Sequence, residues 1–435
     1  MRFSILFGLM IMVAFSTSCT SKDDDSNGTS TGNEKTNILL VIADDMGLDA
    51  TPGYPVGSQK PTMPVLESLT SSGIRFNNVW SYPSCTPTRG SIITGKYGFR
   101  TGVTQVGDEM PLTETSLQQS ITGYNTAVFG KWHLSNNDAN HPVNFGVGAY
   151  AGLLSGGVAD YSNWNFTQNG QTTNSTTYAT THFTDLAIDW LNQQAQDEPW
   201  FLWLAYNAPH TPFHLPPANL HTQGALPTDQ ASIDANPLPY YLAMLEAMDT
   251  EMGRLLDTIP ADVGENTVII FIGDNGTSAQ VVQQYNSNRA KGSLFQGGIN
   301  VPMIISGKDV TRVNAVEDAL INTTDLFATI IELTGASQPN VNDSNSFKEL
   351  LNSDTQSNPR EYVYSERGTV AAPDYTIRNA THKYIRYDDG REFLFNLSNN
   401  ALEMPNLMNP NQLPLSQVDS DVRDELITQL SLIRN

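Results

Sequence analysis

Two pairs of oxygen-bearing side chains stand where buried strands should end. Asp44-Asp45 follows the apolar run Asn37 to Ala43, and Asp274-Asn275 follows the run Thr267 to Ile272. Adjacent carboxylates repel unless a cation or a proton neutralises them, so each pair is either a ligand set or a turn, where Asp and Asn are also common. Together the four residues form an all-oxygen set suited to a hard divalent cation, Ca²⁺ or alternatively Mg²⁺, and ill suited to zinc. A third group is a thiol. The chain has two cysteines, Cys19 and Cys85; if Cys19 is otherwise engaged, Cys85 has no partner in an oxidising compartment, and is either a small buried apolar residue or a group kept for its reactivity. It lies in Ser84-Cys85-Thr86-Pro87-Thr88-Arg89-Gly90, a turn entering a short helix-like piece. Further candidates come from three segments. In Phe129-Gly130-Lys131-Trp132-His133-Leu134, an extended backbone would turn Lys131 and His133 to the same side. Ala208-Pro209-His210 follows the run Trp200 to Tyr206, and Lys291 sits in Ala290-Lys291-Gly292-Ser293.

The Cys-x-Pro-x-Arg core at 85–89, with Thr94-Gly95 farther on, resembles the signature of type I sulfatases, formylglycine-dependent and arylsulfatase-like members of the alkaline phosphatase superfamily. The segments around Lys131 and His210, and Lys291-Gly292 before Gly297-Gly298-Ile299-Asn300-Val301-Pro302, are similar to further motifs of that family. The resemblance runs in order from Thr36 to Leu407. It departs at Thr88, where Ser or Ala is more usual, at Asn300 in place of Arg, and at His214, one place later than the second histidine of many members.

What the resemblance implies is specific. Cys85 would be oxidised to Cα-formylglycine during export, by a formylglycine-generating enzyme or a radical maturase. Asp44, Asp45, Asp274 and Asn275, together with the converted Cys85, would hold the cation, and Arg89 and Lys131 would steady the aldehyde hydrate. Lys131, His210 and Lys291 would surround the sulfate. One hydroxyl of the hydrate would attack sulfur, and the second, deprotonated, would expel sulfate and restore the aldehyde. By the same analogy His133 is the base on the second hydroxyl and His210 the acid to the leaving group. The implied substrate is a sulfated carbohydrate, oligosaccharides from a polysaccharide, with aryl sulfates as surrogates. Two other functions remain open: a formylglycine-dependent phosphonate or phosphate ester hydrolase of the same superfamily, and a lipoprotein that binds sulfated glycans without turnover.

Positioning such groups takes a large α/β scaffold. Asn37–Ala43, 126–129, 200–206, 267–272 and 301–305 read as buried strands of a mostly parallel sheet, with a helix over 240–259 between two of them. In that helix Leu242, Leu245, Met248, Met252 and Leu255 form a core stripe, and Asp249 should be solvated. The expected catalytic domain spans 36–337. Residues 338–359, rich in Asn, Ser and Asp, read as a linker or surface excursion. A C-terminal α+β subdomain over 360–435 should contain a hairpin turning at Asp388-Asp389-Gly390 and a final helix over 419–433.

The N-terminus adds a positive Met1-Arg2, an apolar run to Phe15 and Ser16-Thr17-Ser18-Cys19, the pattern of an export signal. It resembles a bacterial lipoprotein signal over 1–18, with Ser16 in place of the usual Leu, which implies lipidation of Cys19. Residues 19–35 would be a polar tether, and Lys22-Asp23-Asp24-Asp25 is either a surface-export signal or a solvated charge run. The expected location is exported and lipid-anchored, at the outer membrane or cell surface or on the periplasmic face, the anchor being the sole membrane contact. A net charge of −22 argues against nucleic acid as a partner and requires any anionic substrate to meet a local basic pocket.

Overall fold

The computed structural model describes residues 35–195, 197–337, 343–354, 359–398 and 400–435. The signal, Cys19 and residues 22–25 lie outside the described residues, as do parts of the expected linker. Among the described residues no helix is long and apolar enough to cross a membrane.

Sixteen strands follow in chain order: β1 (Asn37–Ala43), β2 (Ile74–Phe76), β3 (Val79–Trp80), β4 (Asn125–Lys131), β5 (Ala149–Leu153), β6 (Trp164–Gln168), β7 (Gln171–Ser175), β8 (Trp200–Ala205), β9 (Thr267–Gly273), β10 (Met303–Gly307), β11 (Ala315–Glu317), β12 (Ile321–Asn322), β13 (Val363–Thr369), β14 (Ala372–Arg378), β15 (His382–Arg386) and β16 (Glu392–Asn396). Ten form one sheet in the order β11-β2-β10-β9-β1-β8-β4-β5-β6-β7. Its middle, β9-β1-β8-β4-β5, is wholly parallel, and antiparallel pairings of β10 on one flank and of β6 and β7 on the other make the whole sheet mixed.

Strand β1 is buried on both faces, and its alternation divides two hydrophobic layers. Ile38, Leu40 and Ile42 point into one layer with Ile92, Ile93, Ile330 and Ile331. Leu39, Val41 and Ala43 point into the other with Leu245, Met248 and Met252 of the helix Leu238–Leu256. A fully buried Leu or Ile contributes about 1.5–3 kcal/mol relative to exposure, so a seven-residue apolar strand is strongly held in place. Being parallel, β1, β4, β8 and β9 all release their chains at one edge. Ala43 is in register with Gly273, and Ala205 with both Ile42 and Gly130. That edge is where open α/β sheets place ligand sites.

Two expectations change. Asp249 is buried rather than solvated: its carboxylate accepts from the backbone N–H of Val65 (3.0 Å) and Leu66 (2.9 Å) at the start of the helix Pro64–Ser72. That helix follows Met63, which has no side-chain acceptor, so the cap is supplied from a neighbouring helix. Residues 343–354 are not a surface excursion. Phe347, Leu350 and Leu351 enter the main core, and buried Asp343 accepts from the Tyr97 N–H (2.9 Å) and from Arg100 Nε (2.8 Å). The segment is poor in apolar residues, but those it has face inward.

Strands β13–β16 form a separate antiparallel sheet, and the helix Gln417–Arg434 packs on β14 and β15. The hairpin and the final helix lie where the sequence places them. This sheet shares a core with the larger one: Tyr82 and Tyr97 pack with Tyr364, Ile377, Tyr384, Leu394, Leu426 and Leu430. Residues 35–435 accordingly form one unit.

Candidate active site

Every candidate site residue named from the sequence, Cys19 apart, arrives at the carboxyl edge of the parallel strands. Asp44 and Asp274 follow β1 and β9 directly, and the Asp45 N–H donates to Asp274 Oδ1 at 3.1 Å. Lys131, the last residue of β4, donates from Nζ to Asp44 Oδ2 at 2.5 Å. Arg89 donates to Asp274 Oδ2 and to the Lys131 carbonyl, each at 2.8 Å. Lys291 Nζ donates to Asp45 Oδ2 at 2.7 Å, Asn275 Nδ2 to Asp45 Oδ1 at 2.8 Å, and His210 Nε2 stands 3.9 Å from Asp45 Oδ2.

Cys85 is the first residue of the helix Cys85–Thr94 and is only 2% exposed. Its Sγ lies in one cluster with carboxylate oxygens of Asp44 and Asp274, all within 4.8 Å of one another; Asp44, Asp45 and His210 form a second such cluster. Burial pushes the Cys85 thiol up, against the pull of Lys131, so an unmodified thiol here is a poor nucleophile. Thr88 uses its hydroxyl to accept from the Tyr82 N–H (3.0 Å) and to donate to the Ser84 carbonyl (3.1 Å), pinning the turn before Cys85. A serine would make the same bonds.

The electrostatics are divided. Burial opposes ionisation of Asp44, yet Lys131, His210 and Arg89 hold its carboxyl well below the usual range. Burial and then the Asp44 charge push Asp274 upward, Arg89 notwithstanding. Two buried oxygens, Asp44 Oδ1 and Asn275 Oδ1, have no hydrogen-bond partner among the described residues. Unpaired buried oxygens beside a pair of mutually repelling carboxylates fit an oxygen-liganded cation, and Asp44, Asp45, Asp274 and Asn275 are the residues that would hold it.

The histidines differ from expectation in how they are positioned. β4 ends at Lys131, and His133 has φ +58°, so strand alternation does not set its direction. Burial, then Lys131 and Arg89, hold its imidazole well below the usual range, and its Nδ1 is buried without a partner. His210 follows β8, its Nδ1 against the Thr211 carbonyl at 2.8 Å. The Tyr161 hydroxyl accepts from Asn207 Nδ2 (2.8 Å) and lies 2.7 Å from the His210 carbonyl, holding that loop. His214 is engaged elsewhere, by the Pro212 carbonyl and the Tyr178 hydroxyl. Asn300 faces Asn77 and Val79 in a backbone-bracing role.

Sequence reading missed Gly156 and Gly157. A Cβ at Gly156 would lie 2.7 Å from His133 Cε1 and Nε2, and one at Gly157 3.1 Å from His210 Cε1, so this loop closes on both imidazoles. The Gly-Gly pair was the available signal, but its neighbours across the fold were not readable.

Comparison with known proteins agrees with this geometry. The sulfatase family model matches residues 36–336, and a model described as N-sulphoglucosamine sulphohydrolase, C-terminal, matches residues 289–431. Human (Homo sapiens) arylsulfatase G is 29% identical over 355 residues, covering 71% of this chain and 67% of the relative. The chain spans 66% of arylsulfatase G from Rattus norvegicus, somewhat under two thirds of its length. A sulfatase of Formosa agariphila is 25% identical, covering 94% of this chain and 90% of the relative. The crystal structure of Ps i-CgsB in complex with k-i-k-neocarrahexaose superposes with a TM-score of 0.75 at 22% identity, covering 92% of this chain and 94% of that one. With the family model covering well over half of it, the chain belongs to the sulfatase family.

Proposed function

We propose that this protein removes sulfate from a sulfated carbohydrate, using residue 85 as a formylglycine and one bound divalent cation, Ca²⁺ or alternatively Mg²⁺. The observation that carries the reading is Cys85 at a helix start, its Sγ clustered with Asp44 and Asp274 in a buried site lined by Arg89, Lys131 and Lys291. The k-i-k-neocarrahexaose in complex with Ps i-CgsB, a protein of the same fold, supports carbohydrate as the substrate class.

The cation would add positive charge against the sulfuryl oxygens and lower the pKa of an adjacent hydroxyl. The ammonium groups of Lys131 and Lys291 pair with the carboxylates of Asp44 and Asp45. Lys131, Lys291 and His210 would stand as donors to a bound sulfate, fixed in a mostly buried site. Arg89, fully buried and paired with Asp274, holds the ligand carboxylate in place. His133, kept neutral by burial and by its cationic neighbours, suits the role of base on residue 85. His210, partly open to solvent, suits proton donation to the departing alkoxide.

In this reading a formylglycine-generating enzyme or radical maturase oxidises Cys85. The chain is exported and lipidated at Cys19, standing at the outer membrane, cell surface or periplasmic face. The test is peptide mass spectrometry across residue 85 on protein made with a maturase, combined with sulfate release from sulfated oligosaccharides and aryl sulfate. An aldehyde at 85 with cation-dependent sulfate release is expected. An intact thiol despite a competent maturase, or faster turnover of phosphonate esters than of sulfate esters, overturns the reading.

A further inference from the structure

We propose that a cleft of about 430 Å³ beside Lys291 is a subsite for a second oxyanionic group, a sulfate or a uronate carboxylate on a neighbouring sugar of the same substrate molecule. The inference rests on the sulfatase reading and extends it to the kind of carbohydrate taken.

Three guanidinium groups, Arg289, Arg367 and Arg391, line this cleft together with Asn288, Ser293 and Tyr387, and among the described residues no carboxylate lines it. Arg367 and Arg391 meet Asp374 (2.9 Å) and Asp389 (2.8 Å) through their Nε edges. That leaves the Nη donors of Arg391 without a hydrogen-bond partner among the described residues. Arg289 donates to the Glu403 carbonyl at 2.8 Å, and among the described residues no carboxylate lies within 4 Å of it. Aromatic rings hold the guanidinium planes in position: Arg289 lies 4.5 Å from the Phe295 ring centre, and Tyr387 sits between Arg391 (4.4 Å) and Arg367 (5.4 Å). Guanidinium groups held against aromatic rings, with Nη donors of Arg391 to spare, make a site suited to an oxyanion.

The cleft and the active site share one piece of backbone. Lys291 reaches Asp45, while Arg289 and Ser293, two residues to either side, face the cleft. Two residues of chain span at most about 7 Å, the scale of one sugar to the next. Arg367 ties this turn to the C-terminal sheet through the Gly292 carbonyl at 2.5 Å, and Gly292 at φ +85° lets the chain reverse there. An oligosaccharide whose sulfate meets Lys291 can therefore extend toward the arginines.

The test compares kcat/KM for an aryl sulfate with values for three oligosaccharide probes: monosulfated neutral, monosulfated with a uronic acid, and disulfated. These are measured on the matured, cation-loaded enzyme and on Arg391→Ala and Arg289→Gln/Arg391→Ala. The Arg391 side chain is 61% exposed, so its removal leaves the fold intact. The wild type should prefer one of the doubly anionic probes over the neutral one by about tenfold or more, and the variants should lose that preference through KM. Aryl sulfate turnover should be unchanged. Which doubly anionic probe is preferred names the group. A wild type that treats all three alike, or a double variant that keeps the preference, overturns the inference. Failure of the wild type to release sulfate from any of the four substrates would instead sink the sulfatase reading, and calorimetric binding of the same probes would still decide the subsite.

Discussion

At the scale of single residues, the proposed reaction needs Cys85 in oxidised form. A thiol that burial pushes toward its protonated form has no route to attack sulfur, so Cys85→Ala should abolish turnover while shifting the melting temperature little. Sulfate release and a thermal melt on the same preparation check both. The orphaned oxygens Asp44 Oδ1 and Asn275 Oδ1 make a second prediction. A ligand binding only the folded state at a hundredfold excess over Kd stabilises by about 2.7 kcal/mol. Ca²⁺ should raise the melting temperature by several degrees, a chelator should reverse it, and Asn275→Ala should blunt the response. No calcium-dependent shift in the wild type would count against these four residues as a cation site. All these residues were legible because their chemistry is written in local spacing, Asp-Asp and Asp-Asn after apolar runs. The roles of Gly156 and Gly157 were not, because a glycine's value lies in what approaches it from another part of the chain.

At the scale of elements, the strands that sequence reading finds are those buried on both faces, where composition alone is decisive. β1 and β9 were read almost to the residue, whereas β7, Gln171–Ser175, is polar and mostly exposed, and only its pairing to β6 makes it a strand. Asp249 shows the same limit for helices. Nothing in the stripe around it says that its carboxylate, pushed up to about 6 chiefly by burial, caps a different helix. Asp249→Ala would leave two N–H groups unpaired and should cost about 1–3 kcal/mol in urea unfolding, with kcat preserved. The loop carrying Gly156 acts oppositely. Gly156→Ala forces the His133 ring aside, and misplacing a reacting group by about 1 Å can cost on the order of 100-fold, so kcat should fall steeply with little change in stability. Preserved kcat in this variant would remove His133 from the mechanism.

At the scale of the whole molecule, the question is what makes the C-terminal sheet part of the enzyme. Besides the shared tyrosine cluster, a buried ion pair helps to join the two: Lys383 of β15 donates to Glu403 Oε1 at 2.7 Å and lies over the Trp80 ring, while Glu403 Oε2 accepts from the Gln296 N–H at 2.9 Å. Gln296 lies five residues after Lys291, so the pair braces the segment that carries Lys291 and the arginine cleft. Removing one partner of a buried pair costs about 3–5 kcal/mol because the other charge is stranded. Glu403→Gln should therefore destabilise the whole of residues 35–435 in a single transition, since Trp80 and Gln296 belong to the larger unit. The pH dependence gives the sign. Burial lowers Lys383 to about 8 in the fold, against an ordinary value near 10.5, with Glu403 opposing the shift. Between those values the unfolded chain binds more protons at this position than the folded one, so this lysine's contribution makes stability rise with pH. Without the Glu403 charge the folded value drops further and the window opens lower. Unfolding free energies at pH 7 and 9 should then show Glu403→Gln gaining more with pH than the wild type; equal gains would mean that Glu403 does not govern the charge of Lys383.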